Sequence, residues 1–111
     1  MALRNQITIF VPGKAPQKCD LDSFHKSAVR LGRSRFHGDE ETANDIQVDG
    51  GAVLVSRAHC TFHREQERWY IMDDGSTNGT FLNGRRIPND KYIKLNAGDK
   101  ITVGSANLVM S

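Results

Sequence analysis

Residues 55–84 read VSRAHCTFHREQERWYIMDDGSTNGTFLNG, and Asn-Gly occurs in them twice, five residues apart, at Asn78-Gly79 and Asn83-Gly84. Asn-Gly flanked by alternating apolar residues is the strongest short-range hairpin signal in a sequence. Two hairpin turns this close would leave almost no strand between them, so the two pairs have different jobs. Asn83-Gly84 lies between TFL and RRI, two strand-like runs, and reads as a hairpin turn. Asn78-Gly79 follows DGST, which is loop composition, and has no run to fold back on. It reads as a loop that leaves Ser76, Thr77 and Asn78 between strands, and loops on a rigid β scaffold are where binding groups usually sit.

The same β texture extends outward in both directions. Short runs rich in Val, Ile, Phe and Thr alternate with Gly, Asp and Asn clusters, and helical periodicity is nearly absent, which is the pattern of an all-β sandwich or barrel. Strands are expected at Gln6–Val11, Ala28–Gly32, Asp45–Val48, His59–Arg64, Trp69–Met72, Thr80–Leu82, Arg85–Ile87, Tyr92–Leu95, Lys100–Val103 and Asn107–Met110. Alternation is clearest at Cys60/Phe62 and Trp69/Ile71, each pair pointing to one face of its strand. REQER is a polar hairpin loop, NAGDK (Asn96–Lys100) is another turn, and Pro12–Ser27 and Ser34–Ala43 are long irregular stretches.

At 111 residues the chain holds one domain, residues 1–111 with its core at about 7–110, and one hydrophobic core. The 38% hydrophobic and 25% charged residues fit a folded chain rather than a disordered one. No apolar run approaches the ~20 residues that cross a bilayer. The opening MALRNQITIFVPGK is a poor signal peptide, so an intracellular, cytoplasmic domain with no membrane partner is expected. Cys19 and Cys60 are too few for a disulfide framework and read as buried, reduced thiols. Fifteen basic residues against thirteen acidic ones, with no Lys/Arg block, give no basic stripe for nucleic acid.

Three pieces carry chemistry. LGRS puts Arg33 just past a strand end, SRAH puts Ser56, Arg57 and His59 at the start of another strand, and GSTNGT puts Thr77 and Asn78 on a loop. In a sandwich, loops at one end come together although they are distant in sequence. The set is a guanidinium, hydroxyls, an amide and Gly-flexed backbone N–H groups. A cluster of donors with positive charge is built to hold an oxyanion, and the planar fork of Arg suits phosphate.

In this order, Gly32-Arg33, Ser56-Arg57-Ala58-His59 and Asn78-Gly79, embedded in NDIQV and DDGSTNGTFLNG, resemble the forkhead-associated (FHA) domain, a phosphothreonine-binding module. The resemblance covers Ile7 to Met110 and implies an FHA-type β-sandwich of about eleven strands with the binding loops at one end. It also implies a role for each matched residue. Arg33 and Ser56 contact the phosphate, and Thr77 adds its hydroxyl or backbone N–H. Arg57 helps hold the phosphate, and Asn78 bonds the peptide backbone on either side of the phosphothreonine. Gly32 and Gly79 are structural, allowing close approach or positive φ, and His59 ties the loops together from inside. The implied partner is a phosphothreonine-containing protein or peptide, recruited without catalysis, cofactor or metal. Modules of this kind travel attached to something else, so a larger parent protein is expected. Two stretches depart from the family pattern: SRFHGDEETA after Arg33 is long and acidic, and DGGAVLV before Ser56 is also long. In the family, the second shapes the pocket for the residue three after the phosphothreonine.

Other readings compete at single residues. HCTFH suggests a metal site, but on a strand His59 and His63 would lie about 13 Å apart at ~3.3 Å per residue. Ser56 with His59 suggests a hydrolase, yet no orienting acid or oxyanion hole can be assigned. Arg30, Arg35 and Arg64 read as solvated surface arginines. One alternative to a phosphothreonine reader is a scaffold of the same fold that docks its partner without phosphate, for which a converging donor set has no use.

Overall fold

The computed structural model describes residues 5–33, 44–48 and 54–111. Within them eleven strands form two sheets packed face to face. One sheet runs, in spatial order, β2 (Gln17–Asp20), β1 (Gln6–Phe10), β11 (Ala106–Met110), β10 (Lys100–Val103), β7 (Thr80–Leu82) and β8 (Arg85–Arg86). The other runs β4 (Ile46–Gln47), β3 (Ala28–Gly32), β5 (Cys60–Glu65), β6 (Arg68–Asp73) and β9 (Ile93–Lys94). Neighbours are antiparallel except β3 and β4.

Period-two alternation supplies the core. Ile7, Ile9, Ile101, Val103, Leu108 and Met110 face inward from the first sheet, and Val29, Leu31, Cys60, Phe62, Trp69 and Ile71 meet them from the second. Such interdigitated inner faces are the usual filling of a sandwich. Phe62 is fully buried at the centre, and truncating a buried aromatic to alanine costs about 3–5 kcal/mol.

Two hairpins use two-residue loops with positive φ at both positions, the geometry that matches strand twist. At Asn83-Gly84, between β7 and β8, φ is 51° and 87°. At Gln66-Glu67, between β5 and β6, φ is 54° and 70°, so the polar loop of REQER closes on two residues that resist that region. Asn83 also braces the neighbouring turn, its amide donating to Asp99 Oδ1 (3.0 Å) and its Oδ1 accepting from the Lys100 N–H (2.9 Å).

The stretch Pro12–Ser27 is not irregular throughout. It contains β2 and a single 3₁₀ turn, Leu21–Phe24. QKCD has no apolar alternation, because β2 is a polar edge strand held by pairing with β1 through Ile7↔Cys19. Leu21 is fully buried and pins the turn to the core, while Asp20 accepts the Asp22 N–H at 3.0 Å. Cys60 is a buried free thiol as expected; Cys19, on β2, is only half-buried. Ser34–Ala43 and Asp49–Val53, including Arg35, the acidic Asp39, Glu40 and Glu41, and most of DGGAVLV, lie outside the described residues. Among the described residues no helix is long and apolar enough to cross a membrane.

Candidate functional site

Strand register brings the three chemistry-bearing pieces together. Leu31 pairs with Cys60, and Cys60 pairs with Asp73, so β3 ends, β5 begins and β6 ends at the same edge of the molecule. Arg33, the Ser56–His59 turn and the Asp74–Gly79 loop all project from that edge. They surround a cleft of about 510 Å³ lined by Arg33, Ser56, Arg57, Thr77 and Asn78, with Leu54, Val55, Ala58 and Gly75 completing the wall.

Hydrogen bonds fix the loops to one another. The Arg33 N–H donates to the Ser56 carbonyl (3.0 Å), and the Thr77 N–H donates to Ser56 Oγ (3.0 Å). Asn78 Nδ2 donates to the Leu54 carbonyl (3.2 Å), and Asn44 Nδ2 to the Arg57 carbonyl (2.5 Å). Ser56 Oγ accepts from Thr77 and, among the described residues, its own proton is not used by another acceptor. Arg33 and Arg57 are exposed, and neither guanidinium meets a carboxylate among the described residues.

Gly32, His59 and Gly79 stand behind the cleft. A Cβ at Gly32 would sit 1.9 Å from the Arg57 carbonyl oxygen, so only glycine lets the Ser56–His59 turn approach β3. Gly79 has φ +89°, and the Arg86 side chain lies across it where a Cβ would be. His59 is fully buried, its Nδ1 accepting the Ser56 N–H (3.0 Å) and its Nε2 facing the Gly79 carbonyl (2.9 Å). Because the Ser56 N–H can only donate, Nδ1 is unprotonated and Nε2–H donates to Gly79. Burial pushes the imidazole pKa below its ordinary value, against smaller upward pulls from the Gly79 carbonyl and from Asp73 and Asp74. His59 is a neutral strut joining two loops.

A second strut carries no mark in the three motifs. Asp73 is buried at the end of β6. Its Oδ1 accepts from Ser76 Oγ and Thr80 Oγ1 (2.6 Å each), and its Oδ2 from the N–H groups of Gly75 (3.0 Å) and Ser76 (3.1 Å). Burial alone would raise this carboxyl, but the hydrogen bonds outweigh it and hold the pKa below the usual value. The Ser76 hydroxyl then accepts the Gly79 N–H at 3.0 Å. Ser76 therefore turns inward, unlike the exposed Thr77 and Asn78 beside it. An Asp followed two and three residues on by Gly-Ser is the side-chain-to-backbone turn pattern, and that signal in DDGS could have found Asp73. Leu54, exposed at φ +69° on the cleft wall, has no sequence signal.

The remaining candidates separate. His63 lies on the outer face of β5 with its ring 4.7 Å from that of Tyr92, remote in environment from the buried His59. Arg30, read as solvated, is half-buried, and Arg64 lies 3.9 Å from Asp22.

Comparison with known proteins follows the same residues. The FHA domain family model matches residues 29–104. An oxoglutarate dehydrogenase inhibitor of Corynebacterium jeikeium is 39% identical over 83 residues, covering 68% of this chain and 54% of that protein. The chain thus spans about half the length of that relative, and 28% of the Nostoc protein FraH, to which it is 33% identical over 85 residues. Among solved structures, full-length yeast Pml1p superposes with a TM-score of 0.75 at 26% identity, over 96% of this chain and 80% of that one.

Proposed function

The chain belongs to the FHA domain family, and on that premise we propose that it is a phosphothreonine-dependent binding module that recruits a phosphorylated protein. The observation that carries the reading is the composition of the cleft: two guanidiniums and a serine hydroxyl that meet no carboxylate among the described residues, and Thr77 and Asn78 on a loop braced from behind. Such a set has donors for a dianion and no nucleophile with a base, since His59 is fully occupied by Ser56 N–H and Gly79 carbonyl.

In this reading Arg33 and Ser56 take the phosphate oxygens, with Arg57 and the Thr77 hydroxyl alongside. A charge-assisted hydrogen bond of this type is worth about 1.5–3 kcal/mol. Asn78 is anchored through Nδ2 to the Leu54 carbonyl, which leaves its Oδ1 to accept an N–H from the peptide backbone. Phosphate contacts thus read the modification, and Asn78 reads that it sits on an extended chain.

The test is a calorimetric titration with one threonine peptide in phosphorylated and unphosphorylated form. Binding of the phosphorylated form alone is expected. Equal binding of both would replace this reading by a scaffold that docks without phosphate.

A further inference from the structure

Asparagine followed by glycine carries a reactivity of its own. The backbone nitrogen after the asparagine can attack its side-chain amide carbon, and glycine, with no Cβ, leaves that approach open. Attack needs a free nitrogen and a backbone able to swing it round. The two Asn-Gly pairs of this chain differ on both counts.

At Asn78-Gly79 the nucleophile is tied down. The Gly79 N–H donates to Ser76 Oγ (3.0 Å), a buried hydroxyl that is itself held by Asp73 Oδ1 (2.6 Å). His59 Nε2 holds the Gly79 carbonyl (2.9 Å), and Asn78 Nδ2 donates to the Leu54 carbonyl (3.2 Å). Gly79 and Thr80 after it are both buried. Attack here requires the loop to open first, and a buried, hydrogen-bonded loop opens rarely.

At Asn83-Gly84 the nitrogen is bare. Both residues are exposed, and the Gly84 N–H meets no acceptor among the described residues. Nothing lies within 4 Å of where a Gly84 Cβ would start, so the peptide has room to turn. The Asn83 amide does bond to Asp99 and Lys100, but both bonds are exposed and neither touches the Gly84 nitrogen. The Lys100 N–H falls on Asn83 Oδ1 (2.9 Å), which draws charge from the carbon to be attacked and so favours addition.

We infer that Asn83 is a site of spontaneous deamidation in the folded chain, and that the struts behind Asn78-Gly79 keep the same reaction away from the cleft. The Gly84 nitrogen loses its proton to base and bonds to Asn83 Cγ. The Cγ–Nδ2 bond breaks, and Nδ2 leaves as ammonia. Water then opens the cyclic imide at either carbonyl, giving aspartate or isoaspartate. Aspartate sets a second carboxylate against Asp99, where Asn83 Nδ2 had donated at 3.0 Å. Isoaspartate adds a backbone methylene to a turn whose two-residue length sets the Leu82↔Arg85 register. Either product weakens the β7–β8 hairpin and leaves Asn78 unaltered.

The experiment incubates the wild-type chain at mildly alkaline pH and follows the peptides covering each pair by mass spectrometry. Asn83 is expected to convert at least roughly tenfold faster than Asn78, a barrier difference of about 1.4 kcal/mol. In denaturant the two rates should converge, because the dipeptide is the same and no fold distinguishes them. Ser76→Ala frees the Gly79 N–H, and should speed conversion of Asn78 while leaving Asn83 as before; a thermal melt checks that this variant is folded. Equal rates in the native chain would overturn the inference. So would a native Asn83 as inert as Asn78 when both react in denaturant, since the bonds to Asp99 and Lys100 would then protect it. An Asn78 that stays inert in folded Ser76→Ala would show that the struts are not its shield. Should that variant fail to fold, the native-against-denatured comparison of the wild type decides alone.

Discussion

Asn78-Gly79 and Asn83-Gly84 spell the same dipeptide five residues apart, and the molecule holds them by opposite means. The second pair is a hairpin turn closed by its own dihedrals, with exposed bonds from Asn83 to Asp99 and Lys100 and no buried frame: both residues take positive φ, and nothing lies within 4 Å of where a Gly84 side chain would start. The first pair is held from behind. The buried carboxylate of Asp73 gathers Gly75, Ser76 and Thr80, Ser76 holds the Gly79 N–H, and His59 holds the Gly79 carbonyl. A turn that only reverses the chain needs its own dihedral preference. A loop that must present donors at fixed positions needs a buried polar frame, which keeps it from rearranging when its outer groups are left bare.

The sharpest way to break this contrast is to remove the frame. Asp73→Ala strips the acceptor from two buried hydroxyls and two N–H groups. A loss of about 3–5 kcal/mol is expected, since each orphaned group costs ~1–3 kcal/mol and some recover water. Chemical denaturation measures it. A loss near zero would mean the loop stands without its carboxylate.

His59 comes next. His59→Ala leaves the Ser56 N–H and Gly79 carbonyl unsatisfied, at about 1–3 kcal/mol. Binding should weaken only in step with the lowered melting temperature. The histidine also adds a pH dependence. Its pKa lies below the ordinary value of about 6.5, with burial the chief cause, so the unfolded chain takes up the proton first. Its contribution is complete above about pH 6.5 and is lost as pH falls through the folded value. Asp73, lowered as well, is fully stabilising above the ordinary carboxylate range and loses its contribution on further acidification. Asp74, raised by burial, pulls the other way. Denaturation from pH 7 to pH 5 should show a decline in the wild type that is shallower in His59→Ala. Parallel curves would show that His59 is not held neutral.

Legibility in the sequence follows the same divide. Strands β3, β7 and β10 have the bounds their residues announce, because alternation marks the strand and Gly marks both ends of β7 and β10 and the end of β3. The polar edge strand β2 leaves no such trace, since pairing rather than burial makes it a strand. In the site, the exposed residues Arg33, Arg57, Thr77 and Asn78 stand in recognisable motifs and do converge on one cleft. Asp73 is half legible in DDGS: the turn pattern points to it, but its burial shows only once β6 turns one of two adjacent carboxyls inward. The place of Leu54 on the cleft wall depends on a positive φ that no local pattern encodes.

The hairpin side of the contrast predicts smaller effects. Gly84→Ala keeps the φ of +87° but adds a Cβ, at about 1–2 kcal/mol, and phosphopeptide affinity should not change. At the smallest end, replacing Gln66-Glu67 with Asn-Gly should raise stability by about 1 kcal/mol, because both residues already sit at positive φ. A shift in peptide affinity from either change would show that the turns and the site loop are coupled.

The central claim is that the cleft is a phosphate site whose donors are separate from the frame that supports them. Arg33→Ala tests it most directly, read by calorimetric titration with a phosphothreonine peptide alongside a thermal melt. Arg33 is exposed and its guanidinium has no carboxylate partner among the described residues, so the melting temperature should barely move. Affinity should fall at least roughly tenfold, about 1.4 kcal/mol or more. Unchanged affinity for the phosphorylated peptide would contradict the account, because Arg33 would then be an ordinary surface arginine beside a cleft that holds something else.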